Sequence, residues 1–330
     1  MKVCIIGSLG LVGSEAVKYY LNENAEVVGI DNDMRKHFFG ADASVVKNRI
    51  DHRNYTHLGC DMASKEVEAT FSSWKPDVII HTAAQPSHDF SATNPILDFG
   101  INAMSTLMLL EFTRKYCPDA VFVYTSTNKV YGDTCNYFPF QEKETRYECE
   151  DLPEGIDELL SVDHTMHSPF GVSKLAGDLY AQEYARYFKI RTGIFRCGCI
   201  TGSAHSGTEL HGFLSYMARC KRENKPYRVY GYKGKQVRDQ IHAHDLVTAI
   251  DSFVQNPKPG EVYNMGGGHT CNISVLEAIN MMKLKVWEYI DEPRVGDHKW
   301  WISNTNKFER DYPKWKREYN LWAIIEDLMK

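Results

Sequence analysis

Apolar runs punctuate the first two thirds of the chain: KVCIIG from Lys2, AEVVGID from Ala25, DVIIHTAA from Asp77, AVFVYTST from Ala120 and RTGIFRCG from Arg191. A strand with one wet face alternates apolar and polar residues, whereas these runs are apolar at successive positions. They therefore predict strands covered on both faces, as in the parallel sheet of a doubly wound α/β fold. The intervening stretches predict helices; over Ile101 to Tyr116, Leu107, Leu110 and Phe112 supply an apolar face.

Two segments break the alternation. Residues 133–168 are long, acidic and irregular, which predicts a flap near the substrate, since a connection of that length inside a compact domain is usually functional or covering. From about Gly202 the pattern changes to a helix around Phe213–Arg222, a short strand at Tyr227–Tyr230 and a turn at Gly266–Gly268. The expected organisation is a nucleotide-binding domain over 1–200 and a smaller α/β substrate region over 201–330.

Composition narrows the function. The chain has 330 residues, 43% hydrophobic and 25% charged, enough to bury a full core. Its net charge of −5 and lack of a long Lys/Arg run argue against a nucleic-acid partner, because phosphate neutralisation needs a basic face. Nine cysteines, an odd number without a CxxC pair, read as reduced thiols. No ligands with metal spacing accompany Cys197-x-Cys199, so no metal is expected. The N-terminus enters a strand directly and no apolar run approaches the ~20 residues of a membrane span. The expectation is a soluble cytoplasmic protein with a small-molecule partner and no membrane association.

The first candidate chemistry follows the first strand. Gly7, Gly10 and Gly13 form GxxGxxG between an apolar run and a helical one. Glycine permits the tight turn and close approach to a pyrophosphate, whose charge then faces the positive end of the helix. The second run ends at Asp31, 24 residues after Gly7, with Asn32 beside it. A carboxylate there holds adenosine ribose hydroxyls and repels a 2′-phosphate, so NAD is favoured and a Rossmann sheet is implied. Arg35 and Lys36 keep NADP open.

GxxGxxG, HTAAQ at 81–85, the helix start over Asn102 to Glu111, YTSTNKVYGD at 124–133, FxxxK at 170–174 and GKQVRDQIHAHDL at 234–246 occur in that order. Together they resemble the extended short-chain dehydrogenase/reductase superfamily, in its nucleotide-sugar epimerase/dehydratase branch. Within it, HTAAQPSHD, STNKVYGD, ETRYE and GKQVRD are most similar to the CDP-paratose (CDP-tyvelose) 2-epimerase group. The resemblance implies an NAD-dependent isomerase that acts on a nucleotide-diphosphate sugar by transient hydride transfer, as a homodimer. By position it implies that Asp61 and Met62 lie by the adenine, and that Thr82, Ala83, Ala84 and Asn102 border the cofactor. Thr127 would bond the sugar hydroxyl being oxidised, and Lys174 the nicotinamide ribose. Arg238 and Arg294 would bind the diphosphate, a task suited to the guanidinium fork. His88, Cys199 and His205 fall on the substrate side, and the aromatics of Tyr227–Tyr232 would flank the nucleoside.

Three departures stand out. Phe170 occupies the place of the usual catalytic tyrosine, whose hydroxyl trades a proton with the substrate while a nearby ammonium lowers its pKa. Cys199 replaces a frequent asparagine. Asn128 and Lys129 replace the Asp-Glu pair of the 4,6-dehydratases, which argues against that activity. For Phe170 three readings stay open. The base comes from elsewhere, among Lys129, His88, His167, Lys174 and His205; or a tyrosine was exchanged deliberately to trap a complex; or the protein binds its ligands without turnover, as a sensor. A dehydratase with a non-tyrosine base is the alternative enzyme.

Overall fold

The computed structural model describes residues 1–209 and 211–330. Its centre is a seven-stranded parallel sheet. The strands are β1 (Lys2–Ile6), β2 (Glu26–Ile30), β3 (Tyr55–Leu58), β4 (Val78–His81), β5 (Val121–Thr127), β6 (Arg191–Cys197) and β7 (Glu261–Met265), in the order β7-β6-β5-β4-β1-β2-β3. The helices used below are α1 (Leu11–Asn22), α2 (Arg35–Phe39), α3 (Ser105–Tyr116), α4 (Ser168–Phe188), α5 (Phe213–Glu223) and α6 (Ala243–Gln255).

The period-two geometry of a strand explains why β1 had to be apolar throughout. Val3 and Ile5 join Val27 and Ile80 on one face, packed with Val17 and Tyr20 of α1 and Leu246 and Ile250 of α6. Cys4 and Ile6 join Ile79 and Phe122 on the other, packed with Leu109 and Leu110 of α3 and Ala181 and Tyr184 of α4. Full burial of each such aliphatic or aromatic side chain contributes ~1.5–3 kcal/mol. The sheet therefore resists changes on either face.

The strand order reverses at β1, which has β2 on one side and β4 on the other. A crevice opens beyond the carboxyl ends of strands at such a reversal. Gly7 leaves β1 with φ +86°, and its amide donates to the Ile30 carbonyl at 2.8 Å. The Thr82 amide, leaving β4, donates to the Ile6 carbonyl at 2.8 Å. Both exits face one opening.

The smaller region is built on the strand Val237–His242, which pairs with Cys199–Thr201, Asn272–Ser274 and Trp300–Trp301. Separately, Tyr227–Tyr230 pairs with Trp287–Ile290. The chain does not divide at residue 200: α6 packs on α1, and β7 returns to pair with β6 at the edge of the main sheet. Hydrophobic burial drives this return, because Tyr263 and Met265 complete the first core.

Residues 133–168 also differ from expectation. They line no part of the central cavity. Cys135, Cys149 and Ile156 anchor them in a separate core with Val237, Trp300 and Trp301, and Arg146 pairs with Glu277 at 2.7 Å. The segment braces the smaller region, and its Asn136 donates to the carbonyl of Asp297, a residue of the cavity wall, at 2.9 Å. Pro95–Tyr116, 22 residues of nearly continuous helix, has the length and composition of a membrane span, but its Leu109 and Leu110 are spent on the second core.

Candidate active site

One cavity of about 470 Å³ runs from the glycine-rich turn to the smaller region. At one end it is lined by Gly7, Gly10, Asp31, Asn32, Asp61, Met62, Thr82, Ala83 and Ala84. The α1 N-terminus points its free amides here. Gly13 does not reach the cavity; a Cβ on it would stand 1.9 Å from the Gly7 carbonyl oxygen, so its lack of a side chain lets the helix close on the turn. Asp31 accepts from the Leu9 amide at 2.9 Å and the Asp33 amide at 2.8 Å. Burial pushes its carboxyl pKa up, and those two amides oppose the shift. Asn32 donates to Asp61 at 3.3 Å. These groups suit an adenosine ribose and its diphosphate.

Asn102 is a correction. It does not line the cavity; its side chain accepts from the Gln85 amide at 2.9 Å and donates toward the Gln85 carbonyl, Asp98 and Ser173. It fastens the β4 exit to α4, because a buried amide must satisfy both its donor and acceptor atoms.

At the other end stand Thr127, Lys129, Phe170, Lys174, His88, Cys199, Arg238 and Arg294, with Gly296 and Asp297. Thr127 terminates β5, and its hydroxyl accepts from the Lys129 amide at 3.3 Å. Lys174, on α4, is buried; its ammonium donates to the Thr125 carbonyl at 2.8 Å and lies 4.2 Å from the Tyr124 ring centre. Phe170 is buried one turn earlier, and its ring meets the His88 ring edge-on at 5.0 Å. Ser168, held at φ +64°, lies 2.9 Å from His88 Nδ1. Among the described residues the tyrosines on the cavity wall are Tyr227 and Tyr230, on the strand of the smaller region.

The candidate bases now separate. His167 turns Nε2 to the Val130 carbonyl at 2.9 Å and lines no part of the cavity. His205 reaches the cavity, but its Nδ1 is 3.1 Å from the Ser215 hydroxyl and its Nε2 is 3.3 Å from His211. With both ring nitrogens engaged, it is removed as a base. Burial, reinforced by Lys129 and Arg294, pushes His88 down to about 3, which leaves it neutral and a poor proton acceptor. Burial pushes Cys199 up to about 11. Lys174 and Lys129 are each brought down to about 8 by burial, close to the working pH of a general base. Lys129 Nζ donates to the Gly296 carbonyl at 2.8 Å.

Arg238 is already paired. It is buried and bonded to Asp297 and to the His298 carbonyl. Burial favours the neutral Asp297 acid, yet Arg238, Lys129 and Arg294 outweigh it and hold the carboxyl well below its usual range. Arg294 lies 3.4 Å from Asp89. Asp297 was visible in the sequence only as the end of RVGD, with nothing to mark it as the partner of Arg238. His211 and Glu209, also on the wall, carried no motif.

Comparison with known proteins covers both halves. The model of the NAD dependent epimerase/dehydratase family matches residues 3–266. The CDP-paratose 2-epimerase of Salmonella typhi is 34% identical over 296 residues, 86% of this chain and 84% of that one. A dTDP-glucose 4,6-dehydratase of Escherichia coli K12 is 27% identical over 277 residues, 81% of this chain and 72% of that one. Among solved structures, UDP-glucuronic acid 4-epimerase from Bacillus cereus, in complex with UDP-glucuronic acid and NAD, superimposes with a TM-score of 0.78 at 22% identity, covering 100% of this chain and 98% of that one. The fold, the paired exits of β1 and β4 and these matches lead to one statement: the chain belongs to the NAD dependent epimerase/dehydratase family.

Proposed function

We propose that this protein is an NAD-dependent nucleotide-sugar epimerase of the CDP-paratose 2-epimerase type, with Lys129 acting where relatives use a tyrosine. The observation that carries the reading is the single cavity in which a dinucleotide end and an arginine-bearing end meet at Thr127, Lys129 and Lys174. The residues fit NAD: Gly7 and Gly10 bring bare backbone to the cavity wall, and Asp31 offers a carboxylate there. Bound there, NAD supplies a reversible hydride acceptor.

The chain's own residues supply the rest. Thr127 orients the sugar hydroxyl, and Lys129 in its neutral form takes the hydroxyl proton. Lys174 adds positive charge beside the ribose. Arg294 and Arg238 hold the diphosphate while the sugar turns, and Lys129 returns its proton to the same oxygen. Phe170 and His88 form an apolar wall that excludes water from this exchange. Asn128 and Lys129 provide no carboxylate for removing a carbon-bound proton, which disfavours the dehydratase reading.

The exposed apolar residues Ile96, Leu97 and Phe99, and Val172, Leu179, Tyr180 and Tyr187 on α4, lie on neighbouring helices and support a homodimer through this face. All nine cysteines are free, which supports a reducing, cytoplasmic setting. The test is product analysis: incubation with CDP-, UDP- and dTDP-hexoses followed by NMR. The reading expects a sugar inverted at one carbon with unchanged mass. Loss of one water would favour a dehydratase, and no product from any of them would favour a sensor.

A further inference from the structure

Arg35 projects into the cavity from α2, among the same lining residues as Gly10, Leu11 and Val12 of the glycine-rich turn. Its Nη2 donates to the Ser206 carbonyl at 2.7 Å and lies 3.4 Å from His211 Nδ1. Its Nε is shut from solvent and has no hydrogen-bond partner. The guanidinium sits 4.8 Å from the Phe39 ring centre. Among the described residues no carboxylate lies within ion-pair distance of it, whereas the adjacent Lys36 pairs with Asp33 at 3.6 Å. The two histidines beside it bring no compensating charge: burial, then Arg35 itself, pushes His205 down to about 3 and His211 well below its ordinary range. Arg35 therefore carries an uncompensated positive charge on a ligand-sized cavity, where removal from water is costly unless an anion arrives.

We infer that Arg35 is an anion-binding residue whose ligand is the diphosphate of the dinucleotide, held jointly with the N-terminus of α1. This rests on the dinucleotide reading of that end. The chemistry points to phosphate because the guanidinium fork still has Nη1 without a hydrogen bond to any described residue, and a forked donor matches two phosphate oxygens. The location points to this diphosphate. Asn48 donates from one amide to the Leu9 carbonyl at 2.8 Å and the Ala204 carbonyl at 3.1 Å, which ties residues 203–206, and with them the acceptor of Arg35, onto the glycine-rich turn. A 2′-phosphate would have to approach Asp31, and the substrate diphosphate already has Arg238 and Arg294, although Arg294 and Arg35 both act on His211, so the UDP titration below is the control that separates the two ligands.

A consequence concerns cofactor retention. Ser206 also donates to the Ser44 carbonyl at 3.4 Å, and Arg219 of α5 pairs with Asp42 at 2.8 Å. The stretch after β2 and the stretch before α5 are thus joined by several contacts, and a diphosphate on Arg35 would engage that junction directly. An epimerase that returns its hydride gains from a cofactor that stays in place.

The experiment compares wild type with Arg35→Gln and Arg35→Lys, first confirming cooperative unfolding of each. Calorimetry with ADP and with adenosine, NADH release by fluorescence, and titrations with NADP and UDP are the readouts. The inference expects Arg35→Gln to weaken ADP and NADH by roughly ten- to a hundredfold, the range for hydrogen bonds to charged groups. Adenosine and UDP should be unchanged, NADH release correspondingly faster, and Arg35→Lys intermediate. Equal loss of ADP and adenosine would make the residue merely structural and overturn the inference, as would unchanged ADP binding. Loss confined to NADP would assign Arg35 to a 2′-phosphate, and loss confined to UDP to the substrate. A folded wild type that binds neither NADH nor ADP would defeat the dinucleotide reading itself, along with this inference.

Discussion

The two ends of the cavity are built on different principles. The dinucleotide end is made of backbone: a turn with Gly7 at φ +86°, the first amides of α1, and a carboxylate, Asp31, held by the Leu9 and Asp33 amides. The sugar end is made of side chains from distant parts of the chain, where Lys129, Arg238, Arg294 and Asp297 form one charge cluster, with Arg238 buried and the others half-buried, near Phe170 and His88. Backbone geometry changes little when one residue is replaced. A charge cluster changes its titration and its binding with every member. The sugar end is accordingly where a single replacement should be felt most.

Substitutions at the two ends test that contrast. The largest effect is expected for Lys129→Met, which removes the proton acceptor and should lower kcat by about 10²–10⁴, the range for general-base catalysis, without reducing bound NAD. Steady-state rates and cofactor content check it together; retained turnover would pass the role to Lys174.

Asp31→Ala comes next and tests the opposite end. It should weaken NAD binding by about 1.5–3 kcal/mol, the range for charged hydrogen bonds, and leave UDP and CDP titrations unchanged. Arg294→Ala should do the reverse, weakening nucleoside diphosphates by a similar or smaller amount, since Arg294 is partly exposed and already near Asp89. Arg238→Ala is less clean, because it strands the half-buried Asp297 carboxylate and should also lower the melting temperature.

The pH dependence is smaller and signed. Lys129 must be neutral to accept a proton, and burial brings it down to about 8 from the usual lysine range, with Asp297 pulling up, Arg238 pushing down, and Cys135 and Cys199 adjoining. The acid limb of kcat should therefore rise with pH and level off above about 8. Bound diphosphate favours the ammonium and should shift that limb upward relative to kcat/KM. The smallest effect is expected for Phe170→Tyr: with Lys129 already in the role, a new hydroxyl beside His88 should leave kcat within about threefold, whereas a rise of ~10² or more would show that a missing tyrosine limits the wild type.

The same contrast explains what the sequence revealed. The dinucleotide end was legible because its parts are local: one strand, one turn and one helix place Gly7, Gly10 and Asp31, and the glycine spacing has a backbone reason. The five apolar runs declared their strands for the same reason, being buried on both faces. The sugar end is assembled over long separations, so pairing could not be read. Asp297 gave no sign that it would hold Arg238, and His205 looked equivalent to His88 until its nitrogens were found bonded to Ser215 and His211. Asn102 was placed in the groove by its motif, but satisfying a buried amide took it into the Gln85–Asp98–Ser173 network. Residues 133–168 read as a flap because acidity and length were visible, while the anchoring role of Cys135, Cys149 and Ile156 depended on Trp300 and Trp301 far downstream.

In the proposed mechanism the sugar end moves protons only on oxygen while a hydride stays inside the protein. The direct measurement is the fate of hydrogen at the epimerised carbon, followed by NMR and mass spectrometry with substrate deuterated at that carbon in ordinary water, and with ordinary substrate in deuterated water. The label should be kept in the first case, and no deuterium should enter in the second. Deuterium from solvent at that carbon, or its loss from labelled substrate, would contradict the mechanism.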